Sequence, residues 1–336
     1  MIKTALVGYG YWGPNLLRNF SKHPNCEMVA VVEKRSDVHV KIQAAFPSIV
    51  CFQDFDVLLN SCEVDAIVIA TPVHSHYPIA KKALLAGKHV LIEKPMTSSA
   101  EEAAELISIA EQSNLTLMVD HTFLYTGAVI KMKELIESGE IGSPKYFDST
   151  RINLGLFQPD VNVLWDLAPH DISSLTYLVN YKPVSVNAVG VCHTQNGIEN
   201  IAYLTINFEE DFIAHFNCSW TSPVKVRSTL IGGEDKMLVY NDLEPSEKIR
   251  VYNTSYTHQV LEEEKNRLLV DYRTGDVFIP KVDNTEALYG VASDFLQAIE
   301  NGTEPIASKE LGLLVVQVLE AAQKSIKNNG SIVYIG

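Results

Sequence analysis

The 336-residue chain has no uninterrupted run of the roughly 18 apolar residues needed to cross a bilayer, so no membrane span is expected. It passes from Met1-Ile2-Lys3 straight into a strand-like stretch, without the basic segment, apolar segment and cleavage site of a secretory leader. Cysteine is sparse. The five cysteines, at 26, 51, 62, 192 and 218, are odd in number and form no C-x-x-C pair, which excludes a disulfide framework and fits a reducing, cytoplasmic compartment. Basic residues are outnumbered, 27 against 41 acidic, and the net charge of -14 repels phosphate backbones and anionic lipid. Neither nucleic acid nor a membrane surface is an expected partner. What remains, 46% apolar and 20% charged, is ordinary globular usage and excludes collagen, a disordered tail and a coiled coil. The length suits two domains or one large α/β unit.

The first 120 residues alternate. Thr4-Ala5-Leu6-Val7, residues 28–32, 65–70, 89–92 and 116–119 are short apolar runs of the kind that buried parallel strands require. Helical patterns over 14–22, 37–46, 54–61, 77–86 and 99–112 lie between them, which predicts a doubly wound parallel sheet. After about residue 120 the texture changes. A helix over 126–138 and another over 166–178 precede consecutive extended segments at 184–193, 200–208, 212–220, 226–233 and 236–240, the signature of a largely antiparallel sheet. Helices at 286–300 and 308–327 and a strand at 331–335 finish the chain. The expected fold class is therefore α/β, with a doubly wound parallel domain over 1–120 and an α+β domain with a large, mostly antiparallel sheet over 121–336.

Gly8-Tyr9-Gly10-Tyr11-Trp12-Gly13 follows the first strand and opens a helix, the context a dinucleotide fingerprint needs. The first glycine permits the tight turn, the second lets backbone approach a pyrophosphate and the third lets helix and strand pack closely. Glu33, at the end of the second strand, is placed for the adenine ribose hydroxyls and favours NAD. Lys34 and Arg35 beside it leave NADP open, since Arg35 could meet a 2′-phosphate, although both also suit a solvated surface. Thr71-Pro72-Val73-His74-Ser75-His76 and Glu93-Lys94-Pro95 stand after two further strands, where open α/β sheets place their ligands. There His74 and His76 read either as hydrogen-bonding groups beside the cofactor or as a capped loop, and no metal set completes them. Lys94, next to a nicotinamide, could polarise a carbonyl or stabilise an alkoxide; equally, it could be a surface lysine. Asp166 and His170, four apart in a helix expected to begin at Asp166, could share one face, the carboxylate orienting an imidazole that exchanges a proton, or Asp166 could cap the helix and His170 face the core.

Taken together, these motifs and the terminal helix from Gly312 resemble the Gfo/Idh/MocA family, named for glucose–fructose oxidoreductase and inositol dehydrogenase, over essentially the whole chain. The resemblance implies an NAD(P)-dependent oxidoreductase that moves a hydride between a sugar's secondary alcohol and nicotinamide, with Lys94, Asp166 and His170 as its catalytic group. It implies cofactor contacts from Gly8, Gly10, Tyr11, Trp12, Gly13, Glu33, Lys34, Arg35, Thr71, Pro72, His74, His76, Glu93 and Lys94, and no metal. Where many relatives carry an arginine, this chain has Phe123-Leu124-Tyr125, which leaves Tyr125 as a candidate substrate contact. The loop expected from Arg151 to Asn162 offers Arg151 for a phosphate and Asn153, Gln158 and Asn162 for sugar hydroxyls, although Arg151 could instead pair with a carboxylate such as Asp148. Its wording is similar to family members that oxidise C3 of nucleotide-linked hexoses. Alternatives are a free-sugar or inositol dehydrogenase, a glycoside lyase using NAD, and a dinucleotide-binding sensor. Both alternating sets of the later strands, as in residues 201–206 and 212–216, are apolar, which predicts a homodimer or homotetramer through the carboxyl-terminal sheet.

Overall fold

A computed structural model describes residues 1–155, 157–253, 255–259, 269–273 and 275–336. Two compact units divide the chain: residues 1–125 with 285–320, and 126–284 with 321–336.

The first unit alternates strand and helix: β1 (Ile2–Val7), α1 (Gly13–Lys22), β2 (Cys26–Val32), α2 (Ser36–Ala45), β3 (Val50–Phe52), α3 (Phe55–Ser61), β4 (Ala66–Ile69), α4 (His76–Leu85), β5 (His89–Glu93), α5 (Ala100–Gln112) and β6 (Leu117–Asp120). The strands are all parallel, in the order β3-β2-β1-β4-β5-β6. This is the doubly wound order whose direction reverses between β1 and β4, opening a ligand crevice at the carboxyl ends. β4 is buried along its whole length because helices cover both faces, which is why its sequence, Ala-Ile-Val-Ile, does not alternate. α5 starts at a reciprocal cap: the Ser99 hydroxyl accepts from Glu102 N–H and the Glu102 carboxylate accepts from Ser98.

The second unit holds α6 (Gly127–Glu137), β7 (Pro144–Leu154), α7 (Val163–Leu178), β8 (Pro183–Val191), β9 (Ile201–Phe208), β10 (Ile213–Ser219), β11 (Thr221–Gly233), β12 (Met237–Asn241), β13 (Ile249–Tyr252), β14 (Ser255–Gln259), β15 (Leu269–Arg273) and β16 (Val277–Phe278). Then come α8 (Ala287–Asn301), α9 (Lys309–Lys327) and β17 (Val333–Tyr334). Nine strands form one sheet, in the order β16-β13-β12-β11-β7-β10-β9-β8-β17, antiparallel except where β7 meets β10. β14 and β15 pair antiparallel as a separate two-stranded sheet. On β9 and β10 every second residue is buried: Ala202, Leu204, Ile206, Ala214, Phe216 and Cys218 face inward, while Tyr203 and Ile213 are exposed. Among the described residues, no helix is long and apolar enough to cross a membrane.

Two features differ from the reading of the sequence. Residues 285–320 group with the first unit instead of the second; Val119 donates to the Ala307 carbonyl, and the buried Phe20 and Phe295 rings meet edge to face at 6.2 Å. Helix α7 begins three residues earlier than expected, because Asn162, whose side chain accepts from Leu164 and Trp165 N–H, is its cap. Pro169 therefore lies inside the helix and not in its first turn.

Phe295→Ala is expected to destabilise the first unit by about 3–5 kcal/mol, the usual cost of truncating a fully buried phenylalanine. Urea unfolding followed by hydrogen exchange would read it, with protection falling across β1–β6. Loss of protection confined to β7–β12 would contradict the grouping of 285–320.

Candidate active site

The carboxyl ends of β1, β2, β4, β5 and β6 gather most of the residues that the sequence singles out. Gly8 has φ +95°, and a Cβ there would lie 2.5 Å from the Ala70 carbonyl oxygen, so only glycine permits this turn. A Cβ at Gly13 would lie 2.4 Å from the Gly8 oxygen, whereas at Gly10 it would meet nothing within 4 Å. The loop is thus closed against its own sheet and open at its middle glycine. No side chain caps α1, so its first-turn N–H groups form the positive end of a helix dipole at that opening. Tyr11, 92% exposed, stacks on Trp12 at 6.4 Å between centroids. This backbone suits a pyrophosphate.

Glu33 ends in a cage of donors. Its Oε2 accepts from Tyr9 N–H at 3.0 Å and from the Arg35 guanidinium at 3.2 Å, and its Oε1 accepts from the Arg35 backbone N–H and Nε, each at 3.0 Å. The Arg35 hydrogen bonds, more than any other cause, hold the Glu33 carboxyl down at about 2. Arg35 also donates to the Tyr9 carbonyl, so its guanidinium is committed to this loop. Lys34 is exposed.

After β4, Thr71 accepts from the Ser75 hydroxyl at 2.8 Å, Pro72 precedes a short turn, and His74 is exposed. His76 is different. It is buried, with one ring nitrogen 2.7 Å from the Thr71 carbonyl and the other 2.9 Å from that of Pro95, across the cis Lys94-Pro95 bond. Burial pushes its pKa down. Both nitrogens face backbone, so His76 ties two loops together and has no atom left for a cofactor.

Glu93 ends β5 and Lys94 follows, both partly buried. Sequence reasoning missed their neighbours. Asp120, the register partner of Glu93, is buried and accepts from Thr122 Oγ1 at 2.6 Å and from the Trp12 indole at 3.3 Å. His121 is wholly buried; burial, then the charge of Lys94, brings its pKa down to about 3, and neither ring nitrogen has a hydrogen-bond partner among the described residues. The available signal was positional, since both directly follow a strand of the parallel sheet. Tyr125 is a correction. It is buried, its hydroxyl donates to Asp294 at 2.6 Å and accepts from Ala307 N–H at 3.2 Å, and burial, then the charge of Asp294, raises its pKa. It braces the core and is not a substrate contact.

Lys94 stands in the first unit; Asp166 and His170 stand in the second, one turn apart on α7. Asp166 Oδ2 accepts from the indole of buried Trp220 at 3.0 Å, which fixes the carboxylate on the helix. The His170 carbonyl accepts from the Ser173 and Ser174 hydroxyls. Arg151 belongs to β7 and not to a loop, and the strand alternation sends it inward with Phe147 and Ser149. Only 4% exposed, it grips Asp171 with two hydrogen bonds of 2.9 and 2.6 Å, and Ser149 adds a third to the same carboxylate. Burial disfavours its charge, but Asp171 outweighs burial and its pKa ends above the ordinary value. A guanidinium so held is not a phosphate ligand. Its partner is Asp171, not Asp148, which faces His215 at 3.6 Å. Asn162 is spent on its cap and on Glu199 and Gln323. Asn153 and Gln158 are partly exposed; Leu156, in the same stretch, lies outside the described residues. Among the described residues, no group of three His, Cys, Asp or Glu side chains is placed to hold a metal ion.

Two family models match, one described as an oxidoreductase family with an NAD-binding Rossmann fold over residues 2–121, the other as the GFO/IDH/MocA C-terminal domain over 129–239. The chain belongs to the Gfo/Idh/MocA family. It is therefore an oxidoreductase-family protein with an NAD(P)-binding fold, and the glycine loop, the uncapped helix and Glu33 fit that cofactor. It is 24% identical to the uncharacterized oxidoreductase YdgJ of Escherichia coli over 98% of both chains. It is 31% identical to the UDP-N-acetylglucosamine 3-dehydrogenase of Acidithiobacillus ferrooxidans over 61% of this chain and 64% of that one. It is 36% identical to the dTDP-3,4-didehydro-2,6-dideoxy-alpha-D-glucose 3-reductase of Streptomyces violaceoruber over 38% and 37%. A solved structure of the Acidithiobacillus enzyme superposes with a TM-score of 0.81 at 23% identity, over 97% of this chain and 98% of that one, and shows the same fold.

The ion pair at Glu33 gives a pH test. A carboxyl lowered from 4.5 to about 2 contributes stability that is fully present above 4.5 and is lost as pH falls through about 2. In acid unfolding followed by circular dichroism, the stability difference between wild type and Glu33→Gln should be constant above that window and vanish below it. A difference that does not change with pH would show that Glu33 is not held as a carboxylate.

Proposed function

We propose that the chain is an NAD-dependent dehydrogenase that oxidises C3 of a nucleotide-linked hexose. The observation that carries this reading is the 31% identity to a UDP-N-acetylglucosamine 3-dehydrogenase, supported by a second relative named for a dTDP-sugar 3-reductase. The chemistry follows from residues present in the chain. His170 takes the proton of the hydroxyl, Asp166 orients its ring from one turn away, and Lys94 stabilises the developing alkoxide. Bound NAD supplies the hydride acceptor. Glu33 would receive the adenine ribose and disfavour a 2′-phosphate, and the Arg35 guanidinium is already bonded to Glu33 and to the Tyr9 carbonyl. Asn153 and Gln158 remain the side chains proposed for sugar hydroxyls.

A panel of UDP- and dTDP-hexoses against free myo-inositol and glucose, followed by formation of NADH and NADPH, tests the reading. Turnover is expected with nucleotide sugars and NAD, and Lys94→Ala or His170→Asn should lower it by about 10²–10⁴-fold without unfolding the protein. Activity confined to free polyols would remove the nucleotide, and a folded variant with wild-type turnover would remove that residue's role.

The reading includes self-association. The outward side of the nine-stranded sheet exposes Tyr146, Val189, Val191, Tyr203 and Ile213, an apolar set on neighbouring strands. Light scattering at micromolar concentration should report a dimer or tetramer. Tyr203→Lys should weaken it, and a wild-type monomer would contradict it.

A further inference from the structure

Glu93 and Asp120 end neighbouring parallel strands as direct register partners, so their side chains leave the sheet on the same side. Neighbouring strands lie about 4.8 Å apart, so two carboxyls that leave register partners on the same side are within reach of a hydrogen bond to each other. Ionised carboxylates only accept, so such a bond requires a proton on one of them. Asp120 is the better acceptor, because Thr122 Oγ1 and Trp12 Nε1 already donate to its two oxygens. Glu93 is therefore the donor. The other titratable groups around the pair are Lys94, whose charge acts on both carboxyls, His121, whose pKa of about 3 leaves it neutral, and Tyr125, whose hydroxyl is committed to Asp294. One cation thus faces two acids.

We propose that Glu93 and Asp120 share a single proton and present one negative charge, not two, to Lys94, with Asp120 a positioning residue that links the end bearing the lysine to Trp12 of the glycine loop. Like charges at hydrogen-bonding distance do not both ionise away from water. In keeping with this, burial and then the charge of Asp120 raise Glu93 well above the ordinary range, and burial raises Asp120. Glu33, Glu63, Glu105, Asp242, Glu286 and Glu310, by contrast, are all displaced downward. The pair's effect on turnover rests on the dehydrogenase reading. The shared proton itself does not.

Infrared difference spectroscopy of the full chain near neutral pH tests the proton directly. The wild-type protein should show one protonated-carboxyl C=O band, and Asp120→Asn and Glu93→Gln should each lose it, because the carboxyl left alone ionises beside Lys94. No such band in the wild type would overturn the proposal, and so would a band that survives in Asp120→Asn, since burial alone would then protonate Glu93. If one variant fails to fold, the wild-type spectrum and the other variant still decide. In turnover, the wild-type pH profile should carry an alkaline step that both single variants lack. The double variant, which has no negative charge left, should lose more than the product of the two single losses. An additive double variant would overturn the positioning role. The expected infrared pattern with no sugar oxidised would leave the shared proton standing and remove the dehydrogenase reading.

Discussion

The first unit depends on a backbone that passes too close to itself for a side chain. Between Gly8 and the Ala70 carbonyl, and again between Gly13 and the Gly8 carbonyl, there is no room for a Cβ. That crowding packs the start of α1 against β1 and β4. It also aims the intervening residues. Tyr9 N–H reaches Glu33 at the end of β2, and the Trp12 indole reaches Asp120 at the end of β6. One turn therefore touches the ends of strands that stand second and sixth in the sheet order. A substitution at either glycine would displace both contacts together, so the loop is a structural keystone.

In the second unit the comparable constraint is polar and buried. Arg151 and Asp171 sit under the sheet with Ser149, and Asp171 belongs to α7, the helix that carries Asp166 and His170. A buried pair of this kind is weak as a source of stability but costly to break, because the surviving charge has no water to turn to. It pins the helix against β7 in one rotation. Asp166 is held a second time, by the Trp220 indole. The residue proposed for proton transfer and the one proposed to orient it thus ride on an element whose orientation is fixed by groups that take no part in the chemistry.

How much of this was legible follows from how local each signal was. The glycine loop, the Glu-Lys-Pro turn and the strand-helix alternation are read within a few residues, and the parallel sheet stands where those signals put it. The misread residues all depend on distant partners. Tyr125 is claimed by Asp294, 169 positions away, His76 by a carbonyl 19 positions on, and Arg151 by a carboxylate on the next helix. Arg151 and Asn162 were misplaced for a further reason, since a strand that runs on to Leu154 and a helix that starts at Val163 leave a shorter loop than the sequence suggests. Asp120 and His121 were overlooked because nothing about an isolated Asp-His pair shows that the neighbouring strand ends in Glu93.

The charge of the chain constrains what recognition can rest on. NAD and nucleotide sugars are both anionic, and a net charge of -14 opposes their approach. Beyond about 8 Å at physiological ionic strength that field is largely screened, so it governs encounter more than binding. Within that range the proposed ligands must find fixed positive ends, and those at the glycine loop and the nearby strand ends are the uncapped start of α1, the exposed Lys34 and the partly buried Lys94. Arg35 is already spent on Glu33 and, in the second unit, Arg151 on Asp171. Under the proposed function Lys94 then has an outsized electrostatic role, and the number of negative charges facing it becomes a property of the site. Two ionised acids would reverse the sign of its surroundings, whereas a carboxyl pair that shares a proton leaves the surroundings close to neutral.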